Sequence, residues 1–154
     1  MKKRTVAASG LLLASLILTA CSGSEARVDR YVARSQQYFE EGNLDKARIE
    51  VSNALQIDPK SVAARVLAGR IAEEQVNPRD AVSNYQAAVD EDPENIEARA
   101  ALGRLYLLAG LIDKAQEAIE PALEKYPDDP RLLTICLRTC WMSNSLRSFS
   151  LKSA

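Results

Sequence analysis

The stretch "YFEEGNLDKARIEVSNALQIDP", residues 38–59, decides the fold, because the chain writes it three times. Residues 72–93, "AEEQVNPRDAVSNYQAAVDEDP", and residues 106–127, "YLLAGLIDKAQEAIEPALEKYP", share its spacing of small residues and its closing proline. Pro59, Pro93 and Pro127 lie 34 residues apart. Ala47, Ala81 and Ala115 keep the same step, as do Ala54, Ala88 and Ala122. Upstream, Ser35, Gly69 and Gly103 fall into register, and Tyr38, Ala72 and Tyr106 share the next position. One such series could arise by chance; five in one register make a repeat.

The residue types explain the spacing. The Ser35 and Ala47 series suit the closest approach of two antiparallel helices, where a larger side chain would force them apart. The Tyr38 and Tyr106 position fills the space beside that contact. The Ala54 series packs a second helix onto the first helix of the next repeat. Proline ends each second helix, since it lacks an N–H and restricts the residue before it. This spacing predicts helices over 28–41, 44–57, 62–75, 78–91, 96–109 and 112–125. Gly42-Asn43 and Gly110 punctuate two of the turns, and Asn77-Pro78 reads as a cap followed by a first helical residue. Ser61 and Asn95 can cap the helices that follow them. Pro121 stands against the pattern: inside the last helix it should produce a kink at a cost of ~3 kcal/mol unless compensated.

Over residues 28–129 the chain resembles the tetratricopeptide repeat family. The resemblance implies an all-α, right-handed superhelical solenoid of three repeats, 28–61, 62–95 and 96–129, with a partial fourth in 130–154. Departures are Arg65 and Arg99 where the family often has Trp, and Val76 where it often has Gly. The quoted stretch followed by "AARVLAGR" also looks like the opening of tetratricopeptide lipoproteins linked to exopolysaccharide and exosortase gene clusters, and somewhat like the type IV pilus assembly lipoproteins.

The N-terminus carries an address. Lys2, Lys3 and Arg4 precede an apolar run, Val6 to Ala20, that is shorter than the ~20 residues of a membrane span. That layout suits a secretory signal peptide over residues 1–20. The run ends at Leu18-Thr19-Ala20-Cys21, which resembles the lipobox of bacterial lipoproteins. By that resemblance the Cys21 thiol takes a diacylglycerol, the chain is cut before it, and the new amine is acylated. Two or more acyl chains anchor a protein stably to a membrane. Ser22, rather than Asp, points by the same resemblance to the periplasmic face of the outer membrane. Residues 21–27 are then a lipid-anchored linker. Loss of Lys2, Lys3 and Arg4 leaves 17 basic and 21 acidic residues, a formal charge of −4.

Composition narrows the function classes. The 154 residues contain 47% hydrophobic and 27% charged residues and no histidine. Histidine-based triads, Cys-His pairs and His-ligated zinc are therefore excluded. The charge balance and the absence of a dominant basic patch argue against nucleic acid. Three cysteines, Cys21, Cys136 and Cys140, do not suit a disulfide framework. Glu40-Glu41 and Glu73-Glu74 are adjacent on their helices and do not face each other, so they make a poor acid/base pair. No catalytic residue, metal ligand or cofactor is expected.

By the family pattern, first helices line a partner-binding groove. Its candidates here are Gln36, Phe39, Arg70, Glu73, Arg104, Leu107 and Leu108. Arg70 and Arg104 are equivalent residues one repeat apart. They could hold a carboxylate or the backbone of an extended peptide, or they could simply pair with neighbouring glutamates. The positions that match the family's Lys/Asn/Arg carboxylate clamp hold Val32, Val66 and Ala100, so that clamp is not expected. The expected function is a non-catalytic scaffold for a protein or peptide partner, anchored through Cys21, in exopolysaccharide export or pilus assembly. The alternative is a regulatory accessory subunit of a peptidoglycan or polysaccharide enzyme.

After Asp129 the pattern changes. Asp129-Pro130 suits a cap and first turn, and "RLLTI" opens a fourth first-helix. Leu137 then occupies the Ser/Gly position, and Phe149 the alanine position. Two readings are open: a capping helix with a divergent tail, or a reading frame shifted near Ile135. Cys136 and Cys140 share a helix face without being a redox pair. With no second helix in the fourth repeat, Leu132, Leu133 and Ile135 should be partly uncovered, favouring self-association.

Overall fold

The computed structural model describes residues 9–150, and side chains over residues 23–142. Seven helices follow in order: α1 Ser9–Glu40, α2 Leu44–Ile57, α3 Val62–Glu74, α4 Pro78–Glu91, α5 Ile96–Leu108, α6 Ile112–Lys125 and α7 Pro130–Ser150. Helices are the only regular elements among the described residues. The chain divides into two compact units, Met1–Ser61 and Val62–Ala154.

The first unit is the pair α1 and α2. Ser35 is buried and its hydroxyl donates to the Ala47 carbonyl at 2.8 Å, so the small residues expected at the closest approach do meet. Val28, Val51 and Ala54 complete the buried set. Helix α1 starts well before residue 28, and residues 23–27, read as linker, are helical. The reason is local: Glu25, Ala26 and Arg27 are strong helix formers, and the Arg30 guanidinium returns to the Ala26 carbonyl at 3.2 Å. Residues 18–21, the lipobox with Cys21, lie outside the described side chains.

In the second unit α3 pairs with α4 and α5 with α6; α4 packs on α5, and α7 on both α5 and α6. One core cluster joins Val66 and Ala72 of α3, Ala81, Tyr85, Ala88 and Val89 of α4, and Ala98, Ala101, Leu102 and Leu105 of α5. Ala88 thus packs a second helix onto the next first helix, as its register requires. A second cluster joins Ala100, Ile119, Ala122, Leu132 and Ile135.

Each second helix stops where proline dictates. Asp58, Asp92 and Tyr126 leave the helical region, with ψ of 95°, 88° and 66°, as the clash of a following proline with α conformation requires. Asp58 and Asp92 then accept a bond from the backbone two residues on, at 3.0 and 3.1 Å. The caps are Asn43, Asn77 and Asn95, whose side chains accept from the N–H groups of Lys46, Asp80 and Ala98. The turns between paired helices need a left-handed residue, supplied by Gly42 at φ 75°, Val76 at φ 56° and Gly110 at φ 73°. Val76 is β-branched and pays for that conformation in strain.

Pro121 does not break its helix: α6 is continuous from Ile112 to Lys125. Pro121 is exposed, so the carbonyl it orphans can reach water. The next carbonyl, of Ala118, accepts from Arg99 Nη1 at 2.8 Å, and Arg99 Nε also donates to the Pro93 carbonyl. Arg65, one repeat earlier, donates from Nη1 to the side-chain Oδ1 of Asn84, the residue equivalent to Ala118. Both arginines therefore cross-link a first helix to its second helix, where the family often places Trp.

Candidate functional site

The site is built on the first helices of the second unit. In α3, α5 and α7 the same three registers are buried. They hold Ala64, Ala98 and Leu132; Leu67, Ala101 and Ile135; and Ile71, Leu105 and Thr139. The equivalent residues of α1, Arg30, Ala33 and Gln37, are exposed. The fourth first-helix thus keeps the repeat register through Thr139, beyond the point where its sequence departs from the pattern. The expectation that Leu132 and Ile135 would be uncovered is corrected: they are 0% and 6% exposed, because they face α5 and α6. Leu133 is partly exposed, and Leu137 and Trp141 are 70% and 73% exposed. Leu137 occupies the register in which Gly69 and Gly103 meet their second helices.

Glu73, at the end of α3, organises the polar part. The Tyr85 hydroxyl donates to its Oε1 at 2.7 Å, and Arg104 Nη2 reaches Oε1 at 2.8 Å and Oε2 at 2.6 Å. Three helices, α3, α4 and α5, meet in this triad. Burial first, then the Glu73 carboxylate, pushes the Tyr85 phenol well above the ordinary tyrosine range, so it stays a donor. Arg104 therefore does pair with a glutamate, one of the two alternatives open from sequence. Its side chain is nevertheless half exposed, and its Nε and Nη1 have no partner among the described residues.

The other candidates disperse. Arg70 is half-buried on α3. Leu108 is 73% exposed one turn beyond Arg104. Leu107 is half-buried and packs against the second core cluster, so it serves the α5–α7 contact as well as any groove. Gln36 and Phe39 belong to the first unit, where the Gln36 amide donates to Glu40 at 2.7 Å. Val66 and Ala100 are buried.

Two features escaped sequence reading. Lys46 lies over the Tyr38 ring and Lys114 over the Tyr106 ring, at 5.3 and 5.9 Å; these pairs are equivalent and two 34-residue steps apart. Arg138 of α7 falls in the register of Arg70 and Arg104. The 34-residue step could have found it, had the register been carried past Leu137. Cys136 and Cys140 are free thiols. No helix among the described residues is long and apolar enough to cross a membrane.

Antiparallel helix pairs in a fixed register, each opening one face of its first helix, define a helical-repeat protein of the kind that binds other proteins. The repeats are tetratricopeptide repeats: two tetratricopeptide-repeat family models match the chain, over residues 32–96 and 72–136. The chain is 28% identical over 137 residues to bacteriophage adsorption protein A of Escherichia coli (strain K12), covering 79% of this chain and 14% of that one. It is 38% identical over 65 residues to cellulose synthase operon protein C of Pseudomonas fluorescens (strain SBW25), covering 42% and 5%. Type IV pilus assembly protein PilF of Pseudomonas aeruginosa is 26% identical over 103 residues, covering 59% and 41%. The chain spans less than half the length of each of these relatives. Among solved structures, the second tetratricopeptide domain of human RPAP3, in complex with an HSP70 peptide, superposes with a TM-score of 0.69 at 16% identity, covering 75% of this chain and 97% of that one. MamA protein superposes with a TM-score of 0.70 at 21% identity, covering 85% and 71%. These structures share the fold.

Proposed function

We propose that the chain is a non-catalytic scaffold, held by acyl chains on Cys21 at the periplasmic face of a bacterial outer membrane, whose tetratricopeptide groove binds a protein partner. Polysaccharide export and pilus assembly are the settings. In this proposal residues 1–20 are the export signal, 21–27 join the lipid to the repeats, and 28–129 are the three repeats. The observation that carries the binding role is the exposed guanidinium of Arg104, braced by Glu73 and Tyr85 beside the exposed Leu108. A rigidly held donor beside an apolar side chain suits recognition of an extended peptide. The anchor is supported by the order of basic residues, apolar run and Leu18-Thr19-Ala20-Cys21. The setting is supported by relatives named for cellulose synthesis and pilus assembly.

Expression in a Gram-negative host tests the anchor. The natural chain should take up labelled palmitate and sediment with outer membranes, and Cys21→Ala should do neither. Wild-type fractionation of Cys21→Ala would overturn the anchor. Panning a peptide library on the purified chain tests the groove. Enriched peptides should lose binding to an Arg104→Ala, Leu108→Ala double variant, and undiminished binding would overturn the groove.

A further inference from the structure

We infer that the groove's partner is an acidic, extended peptide segment, gripped by Arg104 and Arg138 on adjacent first helices and packed against Leu108 and Trp141. The inference rests on the groove proposed above and names the chemistry of its occupant.

Register places the two arginines together. Arg138 lies 34 residues after Arg104, and α7 keeps the burial pattern of α5 through Thr139. Helix α7 packs directly on α5, so equivalent residues sit on neighbouring parallel helices. Arg138 is exposed and has no ion-pair or hydrogen-bond partner among the described residues. Its own helix supplies none, since α7 contains no acidic residue. Arg104 offers Nε and Nη1 while Nη2 is held by Glu73. Two guanidinium groups with unspent donors fit two carboxylates, and a fork matches a carboxylate better than a point charge does.

Apolar surface alternates with these charges. Leu108 follows Arg104 by one turn, and Trp141 follows Arg138 by three residues; each is 73% exposed. A peptide alternating acidic and apolar residues would match both. Three points favour a peptide over an anionic lipid surface. The mature chain carries a formal charge of −4. Glu73 lies against Arg104, and the positive charges stand at separate points. A sheet of like charge would meet that glutamate as well as the arginines.

Fluorescence anisotropy on the chain from Cys21 onward tests this. The probes are a labelled ten-residue peptide alternating glutamate and leucine, and the same peptide with glutamine for glutamate. Trp141 is the only tryptophan, so its emission reports the site directly. The acidic peptide should bind at least about tenfold more tightly than the glutamine peptide and shift Trp141 emission to the blue; one charge-assisted contact is worth that factor. Arg138→Gln and Arg104→Gln should each weaken binding about tenfold, with helical circular dichroism unchanged. Lys114→Gln, on α6, should leave it intact. Equal affinity for both peptides, wild-type affinity in Arg138→Gln, or no binding of the acidic peptide would overturn the inference. Binding only to vesicles containing phosphatidylglycerol would overturn it in favour of lipid. Library peptides that bind through Leu108 without acidic preference would leave the groove standing and sink its acidic specificity alone.

Discussion

Gly69→Ala sets two known effects against each other. In an exposed helix alanine is favoured over glycine by about 1 kcal/mol. At Gly69 the added Cβ would lie 2.7 Å from Cε1 and Cζ of Tyr85 and 2.9 Å from Cδ1. Carbon atoms in good contact sit roughly 3.5–4.0 Å apart. The overlap is therefore about 1 Å, and the ring has nowhere to go. Tyr85 is 1% exposed and its hydroxyl is tied to Glu73 at 2.7 Å. Helices α3 and α4 must separate, which loosens the contact at Ala81. Overpacking of this kind costs ~1–3 kcal/mol. With the ring held at both ends the upper part of that range applies, so the net loss should be about 1–2 kcal/mol. A chain of about 150 residues loses roughly 2–4 °C per kcal/mol, so the midpoint should fall by about 2–8 °C. Thermal and urea unfolding followed by circular dichroism measure it. Gly23→Ala is the control, with open space around the new Cβ on an exposed stretch of α1. It should be neutral or slightly stabilising. In a Tyr85→Ala background the cost of Gly69→Ala should vanish, a coupling above about 1 kcal/mol. A Gly69→Ala protein more stable than wild type would refute the packing account.

Val76→Gly should stabilise the chain by about 1 kcal/mol, since it relieves a β-branched residue from φ 56° at a position 86% exposed; a lower urea midpoint would count against strain there. Arg99→Ala should cost about 1–3 kcal/mol, because it removes the donor to the Ala118 carbonyl, and Pro121→Ala should recover part of that loss. Tyr85 binds its proton more tightly when folded, so its contribution is full below the unfolded value near 10 and is lost as pH rises beyond it. The difference in urea midpoint between wild type and Tyr85→Phe should accordingly shrink above pH 10. Asp129 is the reverse case: the Arg131 guanidinium beside it, then backbone N–H groups, hold its carboxyl down to about 2. The cap of α7 should therefore be intact above pH 4 and fray as pH falls toward 2, and amide exchange in residues 131–134 should follow that course.

The candidate groove was only partly legible from residues alone. Arg104 was identifiable because an arginine recurring at one step stands out in a list of positions. That Glu73 and Tyr85 hold it was not, since the three residues lie on three helices and no local rule links them. Arg138 was passed over because the register was judged by Leu137, on the face that meets a second helix. The opposite face meets the preceding repeat and accepts any side chain of suitable bulk, as Leu132, Ile135 and Thr139 show.

The 34-residue step determined the helix pairs, their ends and the small residues between them, because these depend on local conformation and on steric volume at fixed offsets. Helix α6 shows the limit. Proline in a helix has a cost that sequence can state, but only packing reveals the arginine from α5 that bonds the carbonyl next to the one Pro121 orphans. Likewise Leu132 and Ile135 could be assigned to a helix from their neighbours, whereas their burial required α5 and α6 to be in place. Sequence sets what each segment must do with its own backbone. The tertiary structure decides which side chains find partners, because those partners come from helices far apart along the chain.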